Sequence, residues 1–301
     1  TQSQALVDEG RALLFNDGDP EWSGWVAAEE RFAAAVSADR RDQEAQLFHA
    51  VTRVFAFGLQ QNNGPGYTIL ETFGDFLGAL GVLRNDTEYV DDGSPFNDPP
   101  EQFDDYDAPA TLPSGESASA FLAGPFIDLI DAAIANLDEI NDNVDVTIWG
   151  YETGDIEAEI DYADVMLFKA WLYAAKSMAL IVTAYDANLT ADQIRELFAL
   201  EHAGLFEIQR DLFDLYTQVL ERKGSGSISL ANARQALLEG IDSYQAGVAF
   251  LLSETDYQED DLFYLDSEQD RNEAKHILTL LTEIEDSLNA KQAAVFLDRE
   301  E

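Results

Sequence analysis

Apolar residues recur at intervals of three and four positions along nearly the whole chain, and no sustained two-residue alternation occurs. Such spacing is typical of amphipathic α-helices, whereas alternation would indicate half-buried strands. The pattern therefore predicts an all-α protein with helices over residues 3–15, 20–38, 42–60, 67–83, 119–141, 160–185, 190–223, 229–252 and 270–296. We expect these helices to form an antiparallel helical array, either an α-solenoid or a helical bundle.

Two regions interrupt the helical pattern. Residues 84–119 combine acidic residues with clusters of proline and glycine, so we expect a long irregular loop that is functional or disordered. Residues 144–156 favour a short strand or an extended link. We interpret the chain as one helical domain over 1–301, with N-terminal helices in 1–83, the acidic loop in 84–119 and a C-terminal helical array in 120–301.

One spacing recurs within the predicted helices. A small residue is followed by an aromatic residue four positions later and by another small residue three positions beyond it. This spacing places the three residues on one helical stripe, where the small residues accept a neighbouring helix and the ring fills the groove between the helices. It occurs at Ala28, Phe32 and Ala35, at Thr72, Phe76 and Ala79, and at Gly240, Tyr244 and Gly247.

The first of these stripes matches the second helix of a tetratricopeptide repeat, and Asp39 and Arg40 follow where that motif breaks before its next helix. The chain resembles exported bacterial proteins with degenerate tetratricopeptide-like (TPR-like) helical arrays, some of which accompany envelope transporters and hand on organic acids or lipids. Arg40 replaces the expected proline and the 34-residue period is not kept. A helical bundle that packs small residues against large ones is therefore an equal alternative.

Charge and composition exclude several functions. The chain carries 59 acidic and 17 basic residues, for a formal charge of −42, and 46% of its residues are hydrophobic. It is therefore a folded acidic protein without the basic face that nucleic acids or anionic membranes require. Cysteine is absent, which excludes disulfides, thiolate metal ligands and cysteine nucleophiles.

The sequence contains no complete catalytic or metal-binding motif. The three histidines, His49, His202 and His276, are dispersed, and no pair has the spacing of a helical metal site. The acids of 17–21 begin like an EF-hand loop, but Trp22 stands where that loop requires glycine. No serine elbow or phosphate-binding loop occurs. We therefore expect a protein that is not an enzyme and has no cofactor and no metal.

The longest apolar stretch, residues 165–185, is the main functional signal. Lys169 and Lys176 interrupt it, and since lysine is costly inside a bilayer, we expect a buried helix and no transmembrane segment. A helix that is apolar on nearly every face is either enclosed in the core or lines an apolar cavity. The candidate cavity residues are Phe55, Phe168, Trp171, Leu172, Tyr173 and Met178.

These observations favour a non-enzymatic binding or carrier protein that holds an apolar, lipid-like ligand among its helices. Phe96, Phe103 and Tyr106 of the acidic loop would act as a lid over the ligand. The alternative is a TPR-like scaffold with an open groove for a protein partner, such as an envelope transporter component. The chain begins at Thr1 without an initiator methionine, so we expect a periplasmic or otherwise exported protein, such as a lipoprotein whose anchor has been removed.

Overall fold

A computed structural model describes residues 1–16, 21–62, 69–79, 113–154, 157–190, 221–254, 261–265 and 267–290, with short stretches between 192 and 219. The helices are α1 (Gln2–Phe15), α2 (Trp22–Ala38), α3 (Gln43–Leu59), α4 (Phe73–Ala79), α5 (Gly115–Phe121), α6 (Ile127–Leu137), α7 (Gly150–Thr153), α8 (Tyr162–Thr183), α9 (Gly226–Ser253) and α10 (Glu268–Ala290). Strands β1 (Val146–Ile148) and β2 (Ala158–Ile160) form an antiparallel ribbon in which Thr147 pairs with Glu159. The predicted all-α fold is confirmed.

Side-chain caps set several helix boundaries. Asp42 accepts a hydrogen bond from the Ala45 backbone N–H at 3.1 Å, and α3 begins at the following residue. Asp161 caps α8 in the same way, through the N–H groups of Ala163 and Asp164. Such side chains satisfy backbone donors that have no partner within the helix. Thr190 and Gln193 form a capping box, since each side chain accepts from the other residue's backbone N–H.

Other predicted boundaries were wrong for the same physical reason. The fourth helix begins at Phe73 because Thr72 and Asp75 cap it reciprocally, which leaves 69–72 outside the helix. The helix predicted from residue 119 begins at Gly115, where the Ser114 side chain accepts from the Ser117 N–H. The irregular region therefore ends earlier than predicted. A π-helical segment, Leu122–Phe126, contains Pro125 and joins α5 to α6.

The long helices pack in chain order, with α1 on α2, α2 on α3, α3 on α6, α6 on α8, α8 on α9 and α9 on α10. The first core lies among α1, α2, α3, α6 and α8. Phe32 of α2 is fully buried there and stacks on Phe48 of α3 with ring centroids 5.0 Å apart. Ala28 and Ala35 are also fully buried, so the stripe that they form with Phe32 faces the core. The assignment of that stripe to a tetratricopeptide repeat stays a prediction.

Helix α8 packs against α6 on one side and against α9 on another. Lys169 and Lys176 on one face pair with Asp138, which follows α6, and with Asp131 of α6, the latter at 2.5 Å. The matched seven-residue spacing shows that α6 and α8 run antiparallel. By length and composition alone, α8 and the stretch Gly115–Leu137 are apolar enough to cross a membrane, a property that core helices of soluble proteins share. Both stretches pack against other helices of the structure.

Candidate functional site

Glycines on α9 bring α8 into close contact along its whole length. A Cβ on Gly247 would lie 3.1 Å from the carbonyl oxygen of Ala163, and one on Gly240 would lie 3.1 Å from the Cβ of Tyr173. Further along, the Ser177 hydroxyl donates to the carbonyl of Ala233 at 3.0 Å. The rising numbers on α8 meet falling numbers on α9, so the two helices are antiparallel. Small residues at the contact allow the short distance between them.

Helix α10 packs on α9 but does not close against α8. The Arg234 guanidinium of α9 donates from Nε to the carbonyl of Leu288 and from Nη2 to the side chain of Asn289, both at 2.9 Å. Gln245 reaches Thr282 at 3.5 Å. These contacts show that α10 runs antiparallel to α9. A gap remains between α8 and α10, and α9 forms the floor of this gap.

This gap is an apolar groove with a volume of about 830 Å³. Between Leu237 and Leu251 its floor extends over roughly 21 Å, at about 1.5 Å per helical residue. The volume lies within the range of about 300–1,000 Å³ that is usual for small-molecule sites. Its walls are Leu167, Ala170, Trp171 and Ala174 of α8 and Asp270, Glu273, Ala274, Ile277 and Leu281 of α10, and its floor is Leu237, Gly240, Ile241, Tyr244, Val248 and Leu251 of α9.

Residues 261–265, which we call the end loop, close one end of the groove with Phe263, Tyr264 and Leu265. Two hydrogen bonds fix this loop. The Leu262 N–H donates to the carbonyl of Glu159 in β2 at 3.2 Å, and the Phe263 N–H donates to Oδ1 of Asp164 in α8 at 3.1 Å. The end loop is thereby fastened both to the β-ribbon and to the first turn of α8.

Asp164 holds this junction from a buried position. Its side chain is in the first turn of α8, the residue is only 3% exposed, and its Oδ2 accepts the Asp161 N–H at 2.9 Å. Burial raises the pKa of Asp164 to about 7. The N–H groups of Asp161 and Phe263 oppose that shift, and the carboxylates of Asp161 and Asp261 add to it. The carboxyl that anchors the end loop therefore titrates near neutral pH.

The groove is open to solvent along its length. Trp171 on one wall is 57% exposed and Ile277 on the other is 40% exposed. The apolar surface of α8 continues beyond the groove through Met178, which is 62% exposed, and Val182. Contiguous apolar surface of this kind is uncommon on soluble proteins unless it binds something.

The charged residues that line the described groove are both acidic. Asp270 accepts from the backbone N–H and hydroxyl of Ser267 at 2.9 and 2.7 Å and so caps the first turn of α10. Glu273 lies one turn further on and accepts from the Gln269 side chain at 2.8 Å. Residues three positions apart share a helix face, so the two carboxylates form one acidic edge on an otherwise apolar wall.

Of the six residues predicted to line a cavity, the structure brings Trp171 to this groove. Phe168 stacks on Trp171 with ring centroids 6.0 Å apart, and both Phe168 and Tyr173 pack against the first core. Leu172 is fully buried in that core, and Met178 is exposed beyond the groove. Phe55 lies on α3 against Trp25, at a centroid distance of 4.6 Å. The lid candidates Phe96, Phe103 and Tyr106 lie outside the described residues.

Sequence reasoning missed the contributions of α9, α10 and the end loop. The spacing of Gly240, Tyr244 and Gly247 predicts a copy of the helical stripe formed by Ala28, Phe32 and Ala35, and does not by itself indicate a groove. In the structure, the two glycines receive α8 while Tyr244 lines the groove. On α10, the three- and four-residue spacing of Ala274, Ile277 and Leu281 could have indicated an apolar wall.

The polar centre around His49 lies in the first core, away from this groove. His49 Nε2 is 3.1 Å from Oε1 of Glu29 and 2.9 Å from Nη2 of Arg53, so it bridges α2 and α3. Within the described ranges, no group of three or more His, Asp or Glu side chains comes together as metal ligands would.

Comparisons with protein-family models, with curated proteins and with solved structures found no match for the chain.

Proposed function

We propose that the protein is a non-enzymatic binding or carrier protein that holds an apolar, lipid-like ligand in the groove between α8 and α10. The observation that carries the proposal is the groove itself, with a volume of about 830 Å³ and a lining in which two of eighteen residues are charged. Apolar surface removed from water contributes about 25 cal/mol per Å², or about 0.8 kcal/mol per buried CH₂ group. An alkyl chain lying along the floor would gain that free energy over several helical turns.

The chemistry of the lining supports binding over catalysis. Among the described lining residues, the ionisable side chains are Tyr244, Tyr264, Asp270 and Glu273. Asp270 already caps its own helix, and no nucleophile lies beside a histidine base in this groove. Acyl or phosphoryl transfer would require such an assembly of nucleophile, base and orienting group. A passive site requires only shape and apolar contact.

A second candidate is a docking groove for an amphipathic helix of a partner protein. The exposed apolar strip that runs from Trp171 to Met178 and Val182 of α8 favours it, because such a helix needs a longer surface than a small ligand does. The cellular role rests on the resemblance to TPR-like exported proteins. We propose on that basis a periplasmic accessory to an envelope transporter.

The test is to fill the groove with a side chain. Ala174 is an exposed wall residue, so Ala174→Trp places an indole in the groove without disturbing the buried face of α8. We expect at least a tenfold weaker affinity for a neutral solvatochromic probe such as Nile red, because the bound volume is lost. Fluorescence titration of the purified full chain measures this affinity.

The matched control is Ala231→Trp, which adds the same side chain at an exposed position of α9 outside the groove lining. It should leave probe affinity unchanged, and circular dichroism should show both variants to be folded. Equal probe binding by Ala174→Trp and the original protein would overturn the proposal.

A further inference from the structure

We propose that the groove selects amphiphiles whose polar end is a cation, such as a long-chain amine or quaternary ammonium compound. This inference rests on the proposed function, since it names the ligand class of the same groove. It is carried by two features of the lining, an acidic edge and a set of aromatic rings. Each feature favours a positive headgroup for a different physical reason.

The acidic edge supplies charge complementarity. Asp270 and Glu273 are the charged residues of the described lining, and no Lys, Arg or His is among the residues that line it. The basic and histidine side chains nearest in sequence, Arg271, Lys275 and His276, lie on α10 but not in the lining. A cationic headgroup at this edge gains attraction that a neutral headgroup lacks, whereas a carboxylate or phosphate headgroup meets repulsion.

The partial positive charge at the N-terminus of α10 opposes this preference only weakly. It amounts to about half an elementary charge and acts within the first turn. Glu268 and Asp270 lie in that turn, and Glu273 follows it. These three formal negative charges outweigh the dipole, and the chain's formal charge of −42 adds to the attraction for cations.

The aromatic rings supply the second contribution. Trp171, Tyr244, Phe263 and Tyr264 line the groove from three different elements, and Asp270 and Glu273 line it from a fourth. Cations bind the faces of such rings, and aromatic cages are a usual device for recognising quaternary ammonium groups. A groove for a neutral hydrocarbon would need neither the two carboxylates nor the four aromatic rings in its lining.

The experiment compares three ligands that share one alkyl chain and differ only at the headgroup: dodecyltrimethylammonium, dodecanol and dodecanoate. Each competes with the neutral probe for the full-length protein at neutral pH in about 0.15 M salt, below micelle-forming concentrations. We expect the cation to bind about tenfold more tightly than the alcohol, and the carboxylate to bind more weakly than the alcohol.

Glu273→Gln should reduce the advantage of the cation over the alcohol severalfold while leaving alcohol affinity unchanged. Asp270→Asn is the second variant, and circular dichroism is its check because Asp270 also caps α10. The control is Glu30→Gln with Asp128→Asn, which removes two exposed carboxylates of α2 and α6 outside the groove lining. This control should retain the full preference for the cation.

Each outcome decides the matter. Equal binding of all three ligands would overturn the charge selection but leave the proposed function standing. A preference that survives both Glu273→Gln and Asp270→Asn would show that these carboxylates do not cause it. A preference that falls equally in the control would show that the net charge of the chain causes it, and either result would overturn the inference. If neither the three ligands nor the neutral probe bind, the proposed function itself fails.

Discussion

Arg11 of α1 and Glu152 of α7 form a two-point ion pair, with Nε 2.8 Å from Oε1 and Nη2 2.5 Å from Oε2. Each side chain is 10% exposed. The same guanidinium also contacts Glu44 of α3 at 2.6 Å and donates to the carbonyl of Thr147 in β1 at 2.7 Å. One side chain therefore fastens the β-ribbon and α7 to the N-terminal helices.

Glu152→Gln should destabilise the protein by about 1.5–3 kcal/mol, because a buried guanidinium loses its charged two-point partner while Glu44 still neutralises its charge. Burial by itself raises the pKa of Glu152. The hydrogen bonds from Arg11 and from the Trp149 N–H outweigh burial and hold that pKa below its ordinary value. The ionised form is thus the one that the fold stabilises. Urea unfolding monitored by circular dichroism measures the loss.

The comparison variant for this pair is Glu139→Gln. Arg40 and Glu139 are 3.5 Å apart with side chains 78% and 46% exposed, so their ion pair should contribute no more than about 1 kcal/mol. If the two glutamine variants cost the same, the buried pair does not fasten the ribbon.

Phe32→Ala should cost about 3–5 kcal/mol, since its fully buried ring stacks on Phe48 and lies against Gly10 of α1. A Cβ on Gly10 would come within 2.7 Å of that ring, so the ring packs directly on α1 and its deletion would leave a cavity there. Phe263→Ala is the reference, because that side chain is 48% exposed and its truncation should cost about 1 kcal/mol or less. Equal denaturant midpoints for the two variants would show that the Phe32 ring contributes no more to stability than an exposed ring does.

Stability should depend on pH through Asp164. Its pKa is about 7 in the folded chain against an ordinary value of 3.8, so the folded state binds the proton more tightly. The contribution of Asp164 is fully present below about pH 4, is lost as pH rises towards 7 and stays lost above it. The loss is roughly 4 kcal/mol at the limit, from about 1.4 kcal/mol per pKa unit.

Asp164→Asn removes this titration while keeping a side-chain oxygen to accept a hydrogen bond. The difference in unfolding free energy between the original protein and this variant should therefore change with pH, in favour of the variant as pH rises from 4.5 to about 8. Urea titrations at a series of pH values measure the difference, and parallel curves would contradict the assignment. Amide exchange at Phe263, whose N–H donates to Asp164, reports the same event at the end loop.

Local patterns in the sequence were sufficient to predict the long helices and some of their boundaries. The helix predicted over 190–223 does not extend through 221–223, because Arg222 pairs there with Tyr185 in an isolated β-bridge. The stripe of Ala28, Phe32 and Ala35 faces the core as its spacing indicates. Thr190 and Gln193 form the capping box that their three-residue spacing indicates. Thr72 and Asp75 have the same spacing and also form a cap, but the apolar residues before Thr72 favour a helix that begins earlier. Arg11 and Glu152 are 141 positions apart, and no local pattern could have paired them.

The groove was harder to predict because it depends on how helices far apart in the chain are placed. Apolarity alone marked α8, yet neighbouring residues on it have opposite environments. Leu172 is fully buried and Trp171 is 57% exposed, since each step along a helix turns the side chain by about 100°. The first core covers Leu172, whereas Trp171 faces the groove, where α10 stops short of α8.

The pairing of α8 with α9 has a consequence for how the chain folds. Residues 184–225 separate the two helices, so their contact forms only after a long segment has been made, and contacts of this separation are slow to form. Before α9 has been synthesised, only the helices that precede α8 in the chain can cover its apolar faces. Folding intermediates with uncovered apolar surface are prone to aggregate. The helix that forms one wall of the groove in the folded protein therefore needs protection of its apolar faces while the protein is being synthesised.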